Sequence, residues 1–286
     1  MLLLLIAISA ITLRHDAIQH RLARHITNTL QQTVGVPVEI GNVRLNLPNN
    51  IIIDSLLIKD QSQETLANLP RIAANFDILP FIRNGKINIH TITLSHPDIR
   101  IYRQVPEAPL NIQFLLEKFA SSDTTSNKSM PEICIKQIHI HDGHLRYDVL
   151  SEPEDENFTP SHIDIRNLHT NLALRALRED TLSLYVRRIS FDEASGFTLR
   201  RLKGNVNASN DKIDITRLRI SLPQSNIMSD AARITFPDEG SHKQPTFNGE
   251  LKSDKFSAAD FTSILPRLAH FGHPLNFNIK FNGTAQ

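Results

Sequence analysis

Histidine is the residue type in this sequence with the most scope for chemistry. Thirteen are present, and the densest group is His139-Ile140-His141-Asp142-Gly143-His144. On a strand, alternation puts His139 and His141 on one face, and a turn before His144 lets three imidazoles converge as zinc requires. The solvent face of an amphipathic strand explains the first two equally well, and no carboxylate second shell is legible here. No metal is therefore expected. Cys134, between Ile133 and Ile135, reads as a small buried hydrophobe, because no base or companion ligand surrounds it. The acidic run Glu152 to Asn157 lacks the alternating oxygen ligands of a calcium loop.

No Gly-rich phosphate loop, nucleophile elbow or paired metal-binding helix occurs in the chain. No catalytic residue and no cofactor are expected, and the chain does not read as an enzyme. Lys plus Arg number 31 against 30 Asp plus Glu, which leaves no cationic excess to release counterions from nucleic acid. The pairs Arg187-Arg188 and Arg200-Arg201 suit either a solvated face or a rim that holds lipid headgroups.

The elements that carry these residues are mostly strands. After Gly35 the apolar period is two, and a signature φxφxxφxφ recurs, with φ apolar. It occurs at Val38-Ile40-Val43-Leu45, Ile51-Ile53-Leu56-Ile58, Ile87-Ile89-Ile92-Leu94, Ile133-Ile135-Ile138-Ile140, Leu184-Val186-Ile189-Phe191 and Ile213-Ile215-Leu218-Ile220, with a partial copy at Ile163-Ile165-Leu168. Chance supplies roughly three such matches, but fewer than about one when the x slots must also be polar or small. In a regular strand the last two apolar positions would fall on the wrong face. One extra residue at each xx pair, a β-bulge, returns all four to a common side and bends the strand. Turn chemistry at Pro48-Asn49-Asn50, Asn84-Gly85, Asp142-Gly143, Ser195-Gly196 and Asn210-Asp211 predicts an antiparallel meander of hairpins. The fold class expected is mainly β: an elongated curved antiparallel sheet forming a groove, with an N-terminal anchor helix and one or two short helices.

Met1 to Leu13 carries no charge and is followed by Arg14 and His15. At 1.5 Å per residue it spans only about 20 Å, short of the roughly 30 Å hydrocarbon core, and no positive region precedes it. Residues 1–13 are expected to be a truncated transmembrane anchor whose start lies upstream, with an export signal as the alternative. Residues 14–35 form an amphipathic helix, through Ile18, Leu22, Ile26, Leu30 and Val34, which lies on headgroups or plugs an end of the sheet. A first β segment covers 36–120 with a short helix at 110–120. A flexible linker occupies 121–131, and a second β segment runs over 132–286, with a helix from Ala258 to Leu268 capped by Ser257.

Taken together, the anchor, the segment LQQTVGVPVEIGNVRLNL, the turn-strand Asn84-Gly85-Lys86-Ile87-Asn88-Ile89, and the stretches PLNIQFLLEKFASSD from Pro109, HIDIRNLHTNLALRALRED from His162 and RRISFDEASGFTLRRLKGNV from Arg187 resemble the amino-terminal part of TamB-type translocation and assembly proteins. These belong to the AsmA-like superfamily, and the form resembled is that of Bacteroidetes-like bacteria. The resemblance covers essentially the whole chain and implies a fragment of a longer protein. It implies a single-pass inner-membrane anchor, the bulk of the chain in the periplasm, and a non-enzymatic role in envelope biogenesis. Two such roles follow: phospholipid transport between the membranes, or assistance to outer-membrane β-barrel assembly by strand addition. On the first, Val38, Ile40, Val43, Leu45, Ile51, Ile53, Ile87, Ile89, Ile92, Leu94, Ile133, Ile135, Ile138 and Ile140 line a groove for acyl chains, and Arg187, Arg188, Arg200 and Arg201 form its headgroup rim.

Overall fold

The computed structural model describes residues 36–46, 49–77, 88–115, 134–155, 158–178, 181–237 and 244–284. The expected anchor (1–13), the helix 14–35, the linker 121–131, Ile87 and Ile133 lie outside these residues, as do the side chains of Leu45 and Cys134. No helix among the described residues is long and apolar enough to cross a membrane.

The described chain is mainly β, as the two-residue period leads one to expect, with thirteen strands hydrogen-bonded in one sheet. They are β1 (Val38–Asn46), β2 (Asn50–Lys59), β3 (Thr65–Phe76), β4 (Asn88–Ser95), β5 (Asp98–Arg103), β6 (Cys134–Val149), β7 (His162–Arg178), β8 (Thr181–Glu193), β9 (Thr198–Ser209), β10 (Lys212–Ser221), β11 (Asn226–Thr235), β12 (Thr246–Phe256) and β13 (Leu275–Thr284). The chain divides into two compact units. The first holds β1 to β5, most of β6 and the opening of β7; the second holds the rest of β7 through β13.

In the first unit β1, β2, β3 and β4 pair antiparallel in chain order. The expectation of a purely antiparallel sheet is corrected at β5, which pairs antiparallel with β3 but parallel with β6. The local cause lies at His96 and Pro97. His96 takes a left-handed φ of 53°, and Pro97 has no N–H to give a ladder, so the β4 strand breaks and resumes as β5. The break is sutured to β6 by His96 N–H donating to the His141 carbonyl and His144 N–H to that of Pro97, both at 2.8 Å. A parallel neighbour cannot be reached by a tight turn, so the chain must return along a longer connection before β6.

Val38, Leu56, Ala67 and Leu69 form the core of this unit, with Ile40, Ile53, Ile58, Ile72 and Ile99 packed against them. Sealing a valine or leucine in this way contributes about 1.5–3 kcal/mol each. The β2–β3 turn is held by the Asp60 carboxylate, 1% exposed, whose Oδ1 accepts from the backbone N–H of Ser62 (2.8 Å) and Glu64 (3.0 Å).

In the second unit β7 to β13 form an uninterrupted antiparallel meander. At the β8–β9 turn Gly196 sits at φ 108°, a conformation that glycine takes without strain. The expected helix from Ala258 to Leu268 is instead two 3-10 turns, Ala258–Phe261 and Pro266–His270, and the Ser257 side chain makes no cap bond. Pro266 explains the split, since it ends the preceding turn and suits the first position of the next. Phe261 packs between Phe197 and Phe256 (ring centroids 6.1 and 5.3 Å).

Candidate binding face

The repeated sequence signature corresponds to a repeated backbone event. On β8 two residues, Arg187 and Arg188, lie between the paired positions Val186 and Ile189, against one on β9. On β10 Arg217 and Leu218 do the same between Thr216 and Arg219, and on β4 His90 is the unpaired residue. On β1, β2 and β3 the register runs through without a shift, and Gly41, Ser55 and Pro70 stand opposite one another in one row that is skipped by the pairing. A side chain at Gly41 would bring its Cβ to 3.0 Å from the Asp54 carbonyl oxygen, which is why that row needs a glycine. Among the described residues six non-glycine residues have positive φ: Ser55, Gln63, His96, Asp142, Asn167 and Arg217. All except the turn residue Gln63 occupy the second x of an xx pair. Two of these copies, Ile92-Leu94-Pro97-Ile99 and Ile138-Ile140-Gly143-Leu145, were hidden from an apolar count because Pro97 and Gly143 stand in an apolar slot.

Each bulge returns the apolar side chains to one side. In the first unit the rows run Val43–Ile53–Ile72–Leu94 and Ile51–Ala74–Ile92, with Val38–Ile58–Ala67 and Ile40–Leu56–Leu69 beyond the kink. Val38 and Val43 are fully buried (1% and 0% exposed), whereas Ile40, Ile51, Ile53, Ile89, Ile92 and Leu94 are half-buried, as are Ile135, Ile138 and Ile140 on β6.

In the second unit the rows are Leu182–Ala208–Ile213–Ile234, Leu184–Val206–Ile215–Ala232 and Ile189–Leu202–Ile220–Ile227. Every one of these side chains is half-buried. Among the described residues of this unit, only the two 3-10 turns lie outside strands and loops, and their aromatic ring, Phe261, joins the Phe191, Phe197, Phe256 and Phe277 cluster at one end of the face. Toward β13 the apolar side chains become more exposed, with Ile279 at 51% and Leu275 at 50%. The opposite face is polar and cross-paired, for example Arg233 with Asp214 (2.5 Å) and Lys252 with Asp230 (3.5 Å).

Arg187, Arg188, Arg200 and Arg201 are all exposed. Their pairs fall on two consecutive register shifts of the β8–β9 ladder, on either side of the Ile189–Leu202 pair. The three histidines do not converge. His139 and His141 stand ring-to-edge at 6.3 Å, while His144 is held elsewhere, Nδ1 on Asp98 and Nε2 on Asp164, both at 2.9 Å.

Two polar clusters in the first unit carry no motif in the sequence. In one, Asp60 Oδ2 accepts from the Tyr102 hydroxyl (2.7 Å) and from Asn111 Nδ2 (3.4 Å), which ties the residues after β5 to the β2–β3 turn. Burial, together with the Asp60 carboxylate, raises the Tyr102 pKa. In the other, the Asp148 carboxylate, 3% exposed, meets Arg146 Nε at 2.9 Å, His162 Nδ1 at 3.1 Å and Arg100 Nε at 3.5 Å. Burial works to raise the Asp148 pKa, but bonds from His162 and Arg146 and the charges of Arg146 and Arg100 hold it below the usual value. Burial likewise opposes a charged His162, and is outweighed by Asp148, the Glu152 carbonyl and Glu154, so its pKa is raised. The geometry says the same: Nδ1 faces a carboxylate and Nε2 the Glu152 carbonyl at 3.0 Å, two acceptors that only an imidazolium satisfies. Asp148, Glu154 and His162 bring ligand atoms within 4.8 Å of one another. Arg146, which bridges both carboxylates, supplies a cation to the cluster and makes it an ion-pair knot. Sequence reading missed both clusters because Asp60 meets Tyr102 and Asn111, and Asp148 meets Arg100 and His162, only once separate strands and turns are brought together.

Comparison with protein-family models, with curated proteins and with solved structures returned no match to this chain.

Proposed function

We propose that this chain is the amino-terminal part of a TamB-type, AsmA-like envelope protein, and that its sheet serves as a curved, non-enzymatic groove along which phospholipid acyl chains pass between inner and outer membranes. In this reading an inner-membrane anchor precedes the described residues and the sheet lies in the periplasm. The observation that carries it is the half-buried apolar block of the second unit: three rows of aliphatic side chains on one face, aligned by bulges, over which no described strand packs. An acyl chain of sixteen carbons loses roughly 13 kcal/mol of burial on entering water, at about 0.8 kcal/mol per CH₂, so its carrier must shield it continuously. Strands spaced about 4.8 Å apart cross the roughly 15 Å of one leaflet's hydrocarbon in about three steps, so a few neighbouring strands cover one chain. Bulges recurring at matched rows supply the bend that a trough requires.

Lipid mass spectrometry of the purified chain tests this. Ile89→Asp with Ile92→Asp, on the half-buried face of β4, is expected to abolish co-purifying phospholipid while leaving the circular dichroism unchanged. Unaltered lipid content in a folded variant would refute the groove. A second reading, a scaffold that captures a client barrel by strand addition, is favoured by the exposed apolar residues of β13 alone. Photocrosslinkers at Leu275 and Ile279 separate the two, lipid adducts supporting the groove and protein adducts the scaffold.

A further inference from the structure

On the polar face of the second unit, opposite the aliphatic block, Arg175 of β7, Tyr185 of β8, Lys203 and Asn205 of β9, and Arg217 and Arg219 of β10 line a recess of about 330 Å³. No carboxylate lines it. Elsewhere on this face Arg233 stands opposite Asp214 and Lys280 opposite Glu250. Here the β9–β10 register sets Lys203 directly across from Arg219, a like-charge pair that destabilises a sheet. Arg219 has an acidic partner, Asp230 at 3.0 Å, but Asp230 also receives Lys252 at 3.5 Å. Among the described residues Arg175, Lys203 and Arg217 have no carboxylate partner. Arg175 is instead poised by stacking its guanidinium over the Tyr185 ring, 5.1 Å from the centroid.

Arg217 adds a second anomaly. Its φ is 53°, and the equivalent positions are filled by Ser55, His96, Asp142 and Asn167, of which the Asx residues adopt this conformation most readily. A long cation there holds a strained backbone that a smaller residue would relieve. Repulsion and strain thus coincide at one recess that offers guanidinium forks, an ammonium and an Asn amide, the donor set that a tetrahedral dianion satisfies.

We propose that this recess binds a phosphoryl group, carried by a lipid headgroup or free in solution, between Arg175, Lys203, Arg217 and Arg219. It lies across the sheet from the aliphatic block and does not rest on the acyl-chain reading. The test titrates the full chain with inorganic phosphate by calorimetry at low salt, and floats it with phosphatidylcholine vesicles with and without phosphatidic acid. Arg217→Gly removes the cation while relaxing the left-handed backbone, so folding is favoured; Lys203→Gln is the second variant. Each is expected to weaken binding about tenfold, the worth of one charge-assisted hydrogen bond, while Lys255→Gln, an exposed cation on β12, has no effect. Loss of calorimetric phosphate binding identifies a soluble phosphate. Loss only of the phosphatidic-acid-dependent part of flotation identifies a headgroup. The proposal is overturned if the parent shows neither signal, if both variants bind as the parent does, or if Lys255→Gln weakens binding as much.

Discussion

His162 illustrates how single residues in this chain act through position and not through reactivity. Both of its ring nitrogens face acceptors, so the cation is the form the fold selects, and the Asp148 anion beneath it is selected in turn. Their contributions to stability have opposite pH limits. A raised histidine pKa stabilises fully below the unfolded value of about 6.5 and fades as pH climbs through the folded one. A lowered aspartate pKa stabilises above the unfolded value of about 3.9 and fades as pH falls through the folded one. The first unit is therefore expected to be most stable between these limits. Thermal unfolding from pH 5 to 9 should show the parent losing stability as pH climbs past the unfolded histidine value of about 6.5 and His162→Gln following a flatter profile; parallel profiles would show that the ion pair contributes nothing. None of this was legible beforehand, since Arg100, Arg146, Asp148 and His162 share no motif and are brought together by the parallel β5–β6 pairing and the start of β7.

Among the elements, the strands were legible because their pattern has a mechanical meaning. An apolar spacing of two, then three, then two demands one unpaired residue, and the backbone supplies it with a left-handed residue at Ser55, Asn167 and Arg217. Ser55 gives a clean test, because its side chain is exposed and only its backbone is at stake. Ser55→Val is expected to lower stability by about 1–3 kcal/mol, the cost of a β-branched residue at positive φ, and Ser55→Gly to leave it unchanged or slightly higher. Chemical denaturation midpoints measure both, and equal midpoints would mean that the strand tolerates any residue at the kink. The helix expected from Ala258 to Leu268 is the correction among the elements. Apolar spacing over Ala258 to Leu268 fits a helix, but Pro266 interrupts it and aromatic packing around Phe261 holds the first turn as a 3-10 segment.

At the scale of the whole molecule, the distinguishing feature is a face of aliphatic side chains left half-covered in a chain with few described helical residues. An environment-sensitive fatty-acid probe is expected to bind it, and Leu184→Asp with Ile215→Asp, two members of one row of that block, to weaken binding at least about tenfold by placing charges against a buried acyl chain. Asn207→Asp, on the polar face, should bind as the parent does; a probe indifferent to the paired aspartates would show that it binds elsewhere. The sequence by itself determined the strand content, the bulges and the segregation of apolar from polar residues, because each follows from spacing along one strand and the geometry of the pleat. Only the tertiary structure decided which strands are neighbours, that β5 runs parallel to β6, that Asp60 and Asp148 are sealed among donors, and that Lys203 faces Arg219. Those depend on register between segments distant in the chain, where a displacement of one residue changes every partner and no local pattern records the choice.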